Sequence, residues 1–365
     1  MLPLKTHLAR LERVANPQEI RLNYLRLDKN ENIIPLPSRL VSKFRRYITA
    51  GVLSAYPEVT SLYSKTARYA QCAPENIYLG AGSDGIIKAV FEVFVNPMDT
   101  VVLVSPTYAM FYVYAKMFQA NLEEVFYDRD LSLPAERIIE KIETKCPKLV
   151  CIANPNSPTG TVIDAKDLER IIQVASQYNA IILIDEAYFV FYPKTCAGLI
   201  KKFPNLVVTR TFSKALGLAS ARLGFAIGSK DLIACLQKVR PMYETNAFAV
   251  KFAEFILDNA NIVKKIVAMA MEGKSYLENQ LQQEGFPYFK SYANFVLIDT
   301  GSAQKALQVA EALKRKKILV KAGFGFAPIA GCIRINIGNV EQMKKFLRAL
   351  KQVARAQKGT SEETI

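Results

Sequence analysis

The chain has 365 residues, half of them hydrophobic, and 48 Lys and Arg against 33 Asp and Glu give a formal charge of +15. That length calls for two domains, or one large domain with a lobe attached, and no apolar run reaches the ~18 residues of a membrane span. A single histidine, His7, and six cysteines without a CxxC pair (Cys72, Cys146, Cys151, Cys196, Cys235, Cys332) argue against a metal centre, histidine-based catalysis and a disulfide framework.

The start of the chain is charged throughout and lacks the apolar stretch of a secretory signal. Reduced, mostly buried thiols then predict a cytoplasmic protein. The basic residues are dispersed, with "KRKK" (314–317) as a short cluster on a solvated helix face. Neither a helix-turn-helix, a zinc finger nor an RNA-binding signature accompanies them, so nucleic acid is the weaker partner and steering of small anions the stronger reading.

Taken in order, residues 1–45 read as an N-terminal arm that joins part of a small domain, with His7 on its surface. From about 75 to 230, short apolar runs alternate with helical patterns, which predicts a parallel sheet with crossover helices. "NIYLGAG" is strand then turn, and "SDGIIKAVFEVFV" the helix it feeds; "TVVLVSP", "LVCIANP", "AIILIDEAY" and "LVVTRTFS" are further strands, and 225–228 a last one. Leu168, Ile171, Ile172 and Ala175 fall at i, i+3, i+4 and i+7, one face of a helix. The large domain covers 46–250. After it come a long helix through "VKKIVAMAMEGKSYLENQLQQE", a strand in "YFKSYANFVLIDT", a helix over 303–317, the runs "KILVKAG" and "GCIRINIG", and a last helix ending near Gln357. These form a smaller α+β domain, 251–357, followed by a disordered tail, 358–365.

Chemistry-bearing residues gather at the carboxyl ends of the expected strands, where open α/β sheets bind ligands. "GAGSDG" (80–85) opens a helix, so it is either a tight turn or an anion site built from backbone N–H groups. Asp185 and Glu186 in "IDEAY" emerge at a strand rim, as capping residues or as ligands for a cation. "NPNSPTG" (154–160) is a rigid loop with two prolines. In "TRTFSKALGLASARLGFAIG" (209–228), Lys214 lies among small and hydroxylated residues between two strands, with Thr211, Ser213 and Arg222 nearby. Two hydroxyls and an arginine can surround a phosphate, and a desolvated lysine beside cations can act as a nucleophile. A phosphate cradle, an acid for a heterocyclic nitrogen and an amine for an imine are what pyridoxal phosphate asks of a protein.

The ordered motifs N-P-x-x-P-T-G, D-E-A-Y, T-F-S-K and R-L-G resemble the fold-type-I pyridoxal-phosphate enzymes. With "LDKNENIIPLP" (27–37), "AYPE" (55–58), "PTYAMF" (106–111), "YANFVLI" (292–298) and "CIRINIG" (332–338), the chain is similar to the histidinol-phosphate aminotransferase family over roughly 24–350. The resemblance implies a large α/β/α domain with a mostly parallel sheet plus a smaller α+β domain. It implies Lys214 as the amine that joins the cofactor and moves the Cα proton, and Asp185 opposite the pyridine nitrogen. Tyr188 would bond the ring oxygen and Tyr108 stack on the ring, while Thr211, Ser213, Arg222 and the backbone of Ser83 and Asp84 hold the phosphate. Tyr56 would reach the phosphate from a second subunit, which implies a homodimer with shared active sites. Arg334 and Lys321 would bind the substrate's anionic groups.

The sequence departs from that pattern at four places. Ser157 replaces an asparagine that bonds the ring oxygen, which shifts that work to Tyr188 or to water. Gly85 replaces a glutamate, "NENI" stands for N-E-N-P, and Lys321 takes the place of an arginine that contacts the substrate phosphate. The expected activity is a ping-pong exchange of an amino group between glutamate/2-oxoglutarate and a small phosphorylated amine or amino acid, histidinol phosphate being the family default and histidine biosynthesis the pathway. The alternatives are a decarboxylase of a phosphorylated amino acid, another aminotransferase specificity, or a non-catalytic ligand sensor. The last needs an attached DNA-binding module, for which no room is expected before "LDKNEN".

Overall fold

The computed structural model describes residues 4–9, 11 and 20–362, with side chains to residue 356. After a short strand β1 (Leu25–Leu27), a seven-stranded sheet is built from β2 (Ile77–Gly80), β3 (Thr100–Ser105), β4 (Asn121–Phe126), β5 (Leu149–Ala153), β6 (Ile181–Asp185), β7 (Leu206–Thr211) and β8 (Gly224–Gly228). Their spatial order is β2-β8-β7-β6-β5-β3-β4, with β8 antiparallel to both of its neighbours and the other pairs parallel. The mostly parallel sheet expected from the alternating pattern is therefore present.

Side chains alternate along each strand, so each face of the sheet needs its own cover. Ile152, Ile182, Ile184 and Val208 pack on one face, together with Leu168, Ile171, Ile172 and Ala175 of the helix Ala165–Gln177. Cys151, Leu183, Val207 and Ala226 pack on the other, against the helices Gly82–Phe94 and Ala109–Met117. Apolar cover on both sides explains why the central strands read as unbroken hydrophobic runs. β4 was absent from the sequence reading; it lies at the sheet edge and is largely half-exposed, so "NLEEVF" carries the charges that an edge strand tolerates.

A second core gathers around β9 (Tyr288–Phe289), β10 (Phe295–Asp299), β11 (Ile318–Val320) and β12 (Cys332–Asn336). β10 pairs antiparallel with both β9 and β12, and β11 pairs in parallel with β1. The pairing of β1 with β11 carries residues 25–27 across to this core, and the chain that follows runs over the end of the large sheet. The last helix spans Val340–Glu362. It therefore includes 358–362, which the sequence reading assigned to a disordered tail; "KGTSE" lacks a proline to stop it. The rest of that tail, 363–365, lies outside the described residues. Among the described residues, no helix is long and apolar enough to cross a membrane.

Candidate active site

Asp185 ends β6 and pairs in register with Ala153 of β5 and Thr209 of β7, which puts it at the carboxyl end of the parallel strands. Its carboxylate is buried and accepts hydrogen bonds at Oδ1 from Thr209 Oγ1 (3.0 Å) and the Ala187 amide (3.1 Å). Burial pushes its pKa up to about 6, against the opposing pull of those hydrogen bonds and of the Lys214 charge.

The next residue, Glu186, turns to the opposite face, as strand alternation requires. There it accepts from Arg210 Nη2 (2.9 Å), Thr195 Oγ1 (2.8 Å) and the Cys196 amide (2.9 Å), and the Arg210 guanidinium lies 3.6 Å from the Phe189 ring centre. Both open readings of the acid pair are thus realised. Asp185 caps a turn and faces a cavity, whereas Glu186 binds a cation, an arginine of the same chain.

That cavity is about 600 Å³ and is lined by Lys214, Ser83, Asp84, Tyr108, Ser157, Asp185, Tyr188, Thr211, Ser213, Arg222, Lys321 and Arg334. Twelve of the thirteen residues that the family resemblance assigns to the site therefore converge on one space. The exception, Tyr56, lies outside it, 71% exposed, with its ring stacked on Tyr243 at 3.8 Å. A depression of about 770 Å³ in the small domain, around 284–287 and 298–305, shares no lining residue with the site.

One end of the cavity is a cradle for an anion. The helix Gly82–Phe94 begins there, so the Ser83 and Asp84 amides belong to its unsatisfied first turn. Arg222 adopts a left-handed conformation (φ 50°), and its Nη1 reaches Ser213 Oγ at 3.5 Å and the Ala219 carbonyl at 3.3 Å. A Cβ on Gly82 would lie 2.9 Å from Arg222 Nη2, and one on Gly224 would lie 2.5 Å from the Ser83 nitrogen. Glycine at both positions lets the backbone of β8, the helix start and the guanidinium close around one point. Gly85 faces its own loop, where a Cβ would lie 3.2 Å from that of Ala81.

The middle of the cavity carries Lys214, whose Nζ donates to the Lys29 carbonyl (3.1 Å) and stands 5.8 Å from the Tyr188 ring centre. Tyr188 is buried, edge-on to Phe295, and its hydroxyl accepts from Asn30 Nδ2 at 2.8 Å. Tyr108 stands edge-on to Phe111, and burial raises its phenol pKa.

The far end belongs to Arg334, which donates from Nη1 to Ser157 Oγ (3.3 Å) and from Nη2 to the Asp28 carbonyl (3.0 Å). Its Nε is buried without a partner, and burial lowers its pKa. Arg334 and Lys321 exchange both backbone hydrogen bonds (3.0 and 2.7 Å), which sets their side chains next to each other. Lys321 is open to solvent on one side, but contact with the cavity wall and then the Arg334 charge lower its ammonium pKa.

Two functional groups escaped the sequence reading. Asn30, inside the quoted "LDKNEN", holds Tyr188 and takes a left-handed conformation (φ 55°) that asparagine tolerates better than most residues. Asn156 makes "NPNSPTG" rigid by bonding the Pro106 carbonyl (2.9 Å), Thr159 Oγ1 (2.8 Å) and Thr107 Oγ1 (2.7 Å).

A parallel sheet with a lysine, an acid and an anion cradle at its carboxyl edge defines a fold-type-I pyridoxal-phosphate enzyme, and comparison with known proteins narrows the class. The family described as "Aminotransferase class I and II" matches residues 23–350. The histidinol-phosphate aminotransferase of Caldanaerobacter subterraneus subsp. tengcongensis is 32% identical over 90% of this chain and 92% of its own. That of Sulfurisphaera tokodaii is 32% identical over 90% of each chain. The crystal structure of histidinol-phosphate aminotransferase from Sinorhizobium meliloti, in complex with pyridoxal-5'-phosphate, superposes with a TM-score of 0.86 at 25% identity, covering 98% of this chain and 99% of that one. L-Threonine-O-3-phosphate decarboxylase from Porphyromonas gingivalis shares the fold, with a TM-score of 0.74 at 18% identity, over 91% of this chain and 99% of that one.

The chain belongs to the class I and II aminotransferase family. Within that family it is a pyridoxal-phosphate-dependent aminotransferase of the histidinol-phosphate aminotransferase-like kind.

Proposed function

We propose that the enzyme exchanges an amino group between glutamate/2-oxoglutarate and a small phosphorylated amine or amino acid by a ping-pong cycle. The relatives' names make histidinol phosphate the first candidate and histidine biosynthesis the pathway. The observation that carries this reading is the spacing of three functions along one cavity: anion cradle, amine with acid, and a second pair of cations.

The cavity end where the close approach of Gly82 and Gly224 leaves no room for a Cβ fits a phosphate held by the Ser83 and Asp84 amides, Thr211, Ser213 and Arg222. Asp185 holds its carboxylate where a protonated ring nitrogen needs it. Tyr188, steadied by Asn30, donates to the ring oxygen in place of the missing asparagine at 157, while Tyr108 covers the ring face. When bound, pyridoxal phosphate joins the substrate amine and withdraws electrons from a bond at the substrate Cα. Lys214 Nζ would take the proton from the substrate Cα and deliver it to the cofactor's C4′ carbon, two atoms away. Arg334 fixes the substrate carboxylate, or the polar group in its place, and Lys321 the distal anion. Tyr56 serves the site of a second copy in a cytoplasmic homodimer.

Single-turnover mixing tests this. Holoenzyme mixed separately with L-glutamate, histidinol phosphate, and phosphoserine or phosphothreonine is followed by cofactor absorbance and released CO₂. Conversion to the pyridoxamine form by glutamate and by one phosphorylated amine, without CO₂, is expected. CO₂ release with recovery of the starting spectrum would overturn the reaction assigned.

A further inference from the structure

Four consecutive backbone carbonyls of the strap 28–31 are tied to side chains at or beside the cavity. Asp28 O accepts from Arg334 Nη2 (3.0 Å), Lys29 O from Lys214 Nζ (3.1 Å), Asn30 O from Asn294 Nδ2 (3.1 Å) and Glu31 O from Asn336 Nδ2 (3.2 Å). The strap therefore touches both the amine and the substrate-anion arginine.

The same strap brings two acids, Asp28 and Glu31, to a site built for anions. Glu31 lines the cavity, and Asp28 lies within electrostatic reach of both Arg334 and Lys321. One residue holds both: Arg21 donates from Nη2 to Asp28 Oδ1 (2.6 Å) and from Nη1 to Glu31 Oε1 (2.6 Å). Arg26 adds a bond to Glu31 Oε2 (3.0 Å), but Asp28 has Arg21 as its sole ion-pair partner among the described residues. These groups are more than three-quarters buried, so their charges are poorly screened. Burial would raise the Glu31 carboxyl pKa, and the hydrogen bonds and charges of Arg21 and Arg26 more than reverse it, so the group is ionised and needs neutralising. Arg21 lies just before residue 23, where the family match begins.

We propose that Arg21 is a positioning and specificity residue: by bridging Asp28 and Glu31 it keeps their charges off Arg334 and Lys321, and so reserves those cations for a doubly anionic amine or keto acid. This rests on the reading of Arg334 as the substrate-anion residue. A planar fork suits a bridge between two carboxylates in a way a lysine ammonium does not.

The test compares holoenzyme variants R21Q, R21K, R334Q and the triple R21Q/D28N/E31Q with the wild type. The readouts are KM and kcat of the L-glutamate half-reaction, the calorimetric Kd of 2-oxoglutarate, the cofactor Kd and the melting temperature. R21Q is expected to raise the glutamate KM and the 2-oxoglutarate Kd about tenfold, equivalent to about 1.4 kcal/mol, with kcat and cofactor Kd within about twofold. The loss changes little with added salt, R21K falls between, and the triple variant recovers most of the affinity because the stray charges are gone. R21Q without effect on KM, while R334Q raises it, would overturn the role of Arg21 alone. R334Q without effect would remove the substrate reading itself. A parallel fall in kcat, cofactor affinity and melting temperature that the triple variant does not relieve would reduce Arg21 to a structural residue.

Discussion

Thr209→Val isolates one hydrogen bond beneath the proposed cofactor ring. The side chain keeps its shape and loses the hydroxyl that donates to Asp185 at 3.0 Å, while the Ala187 amide at 3.1 Å remains. A hydrogen bond to a charged, buried group contributes about 1.5–3 kcal/mol. At about 1.4 kcal/mol per pKa unit, its removal lifts the Asp185 carboxyl from about 6 by roughly one to two units. The other charged or titratable groups around this carboxylate, Lys214, Glu186, Tyr108 and Cys151, are untouched.

If cofactor binding requires the ionised acid, the consequence is a pH-dependent difference in affinity between the two proteins. At pH well above both values the acid is charged with and without cofactor, and wild type and T209V bind equally. As pH falls through the mutant's higher pKa, its affinity drops first. The ratio grows tenfold per unit and levels at about 10–100 below pH 6. Absorbance titration of apoenzyme with pyridoxal phosphate from pH 5.5 to 8.5 measures it, and taking the ratio cancels the cofactor's own titration. A ratio independent of pH would refute the assignment of Asp185 to the ring nitrogen.

Linkage at the same acid gives a second outcome. The folded pKa, about 6, is raised above the ordinary 3.8, so stability from this group is present below pH ~4 and lost as pH rises to about 6. Apoenzyme should lose roughly 3 kcal/mol there relative to D185N, measured by urea unfolding. Asn30→Ala and Asn30→Gly both release the Tyr188 hydroxyl and should weaken cofactor binding about fivefold to tenfold. The alanine variant should melt lower than the glycine one, because φ 55° disfavours a Cβ; equal melting would contradict the backbone role. Gly82→Ala must push Arg222 away (φ +77°, 2.9 Å to Nη2) and should cost at least tenfold in affinity for the cofactor, checked against pyridoxal without its phosphate, which should bind unchanged. Inactive K214A and Y56A proteins, unfolded and refolded together, should regain about a quarter of wild-type sites if Tyr56 serves a second subunit's site; no recovery would show that Tyr56 does not act across subunits.

The cofactor half of the site was legible because its groups are local. Asp185 follows an apolar strand, Ser83 and Asp84 open a helix after a glycine turn, and Lys214, Ser213 and Arg222 occupy one loop between β7 and β8. Strand alternation also separates Asp185 from Glu186, yet only the family resemblance pointed to Asp185; alternation alone does not say which one faces the cavity. That depends on which side of the sheet the loop after β7 folds over, a tertiary fact. β4 was lost because a half-exposed edge strand carries Glu123 and Glu124 where a central strand carries valine.

The substrate half was less legible for a different reason. Its contacts join residues 158 to 306 apart in sequence, such as Asn30 to Tyr188 and Arg334 to Asp28, and most are made by backbone carbonyls that any residue could supply. No side-chain pattern records them. The two halves also rest on different cores: the cradle, Asp185 and Lys214 on the seven-stranded sheet, and Arg334 and Lys321 on the small one, with the strap 28–31 bridging them. A substitution that shifts the strap therefore moves the substrate's cations relative to the cofactor without disturbing the phosphate cradle. Altered substrate affinity at constant cofactor affinity is the signature expected of changes at Asp28 and Glu31, whereas Asn30, which holds Tyr188, also acts on the cofactor. A family of enzymes that keeps one cofactor while varying its substrates can be built on that separation.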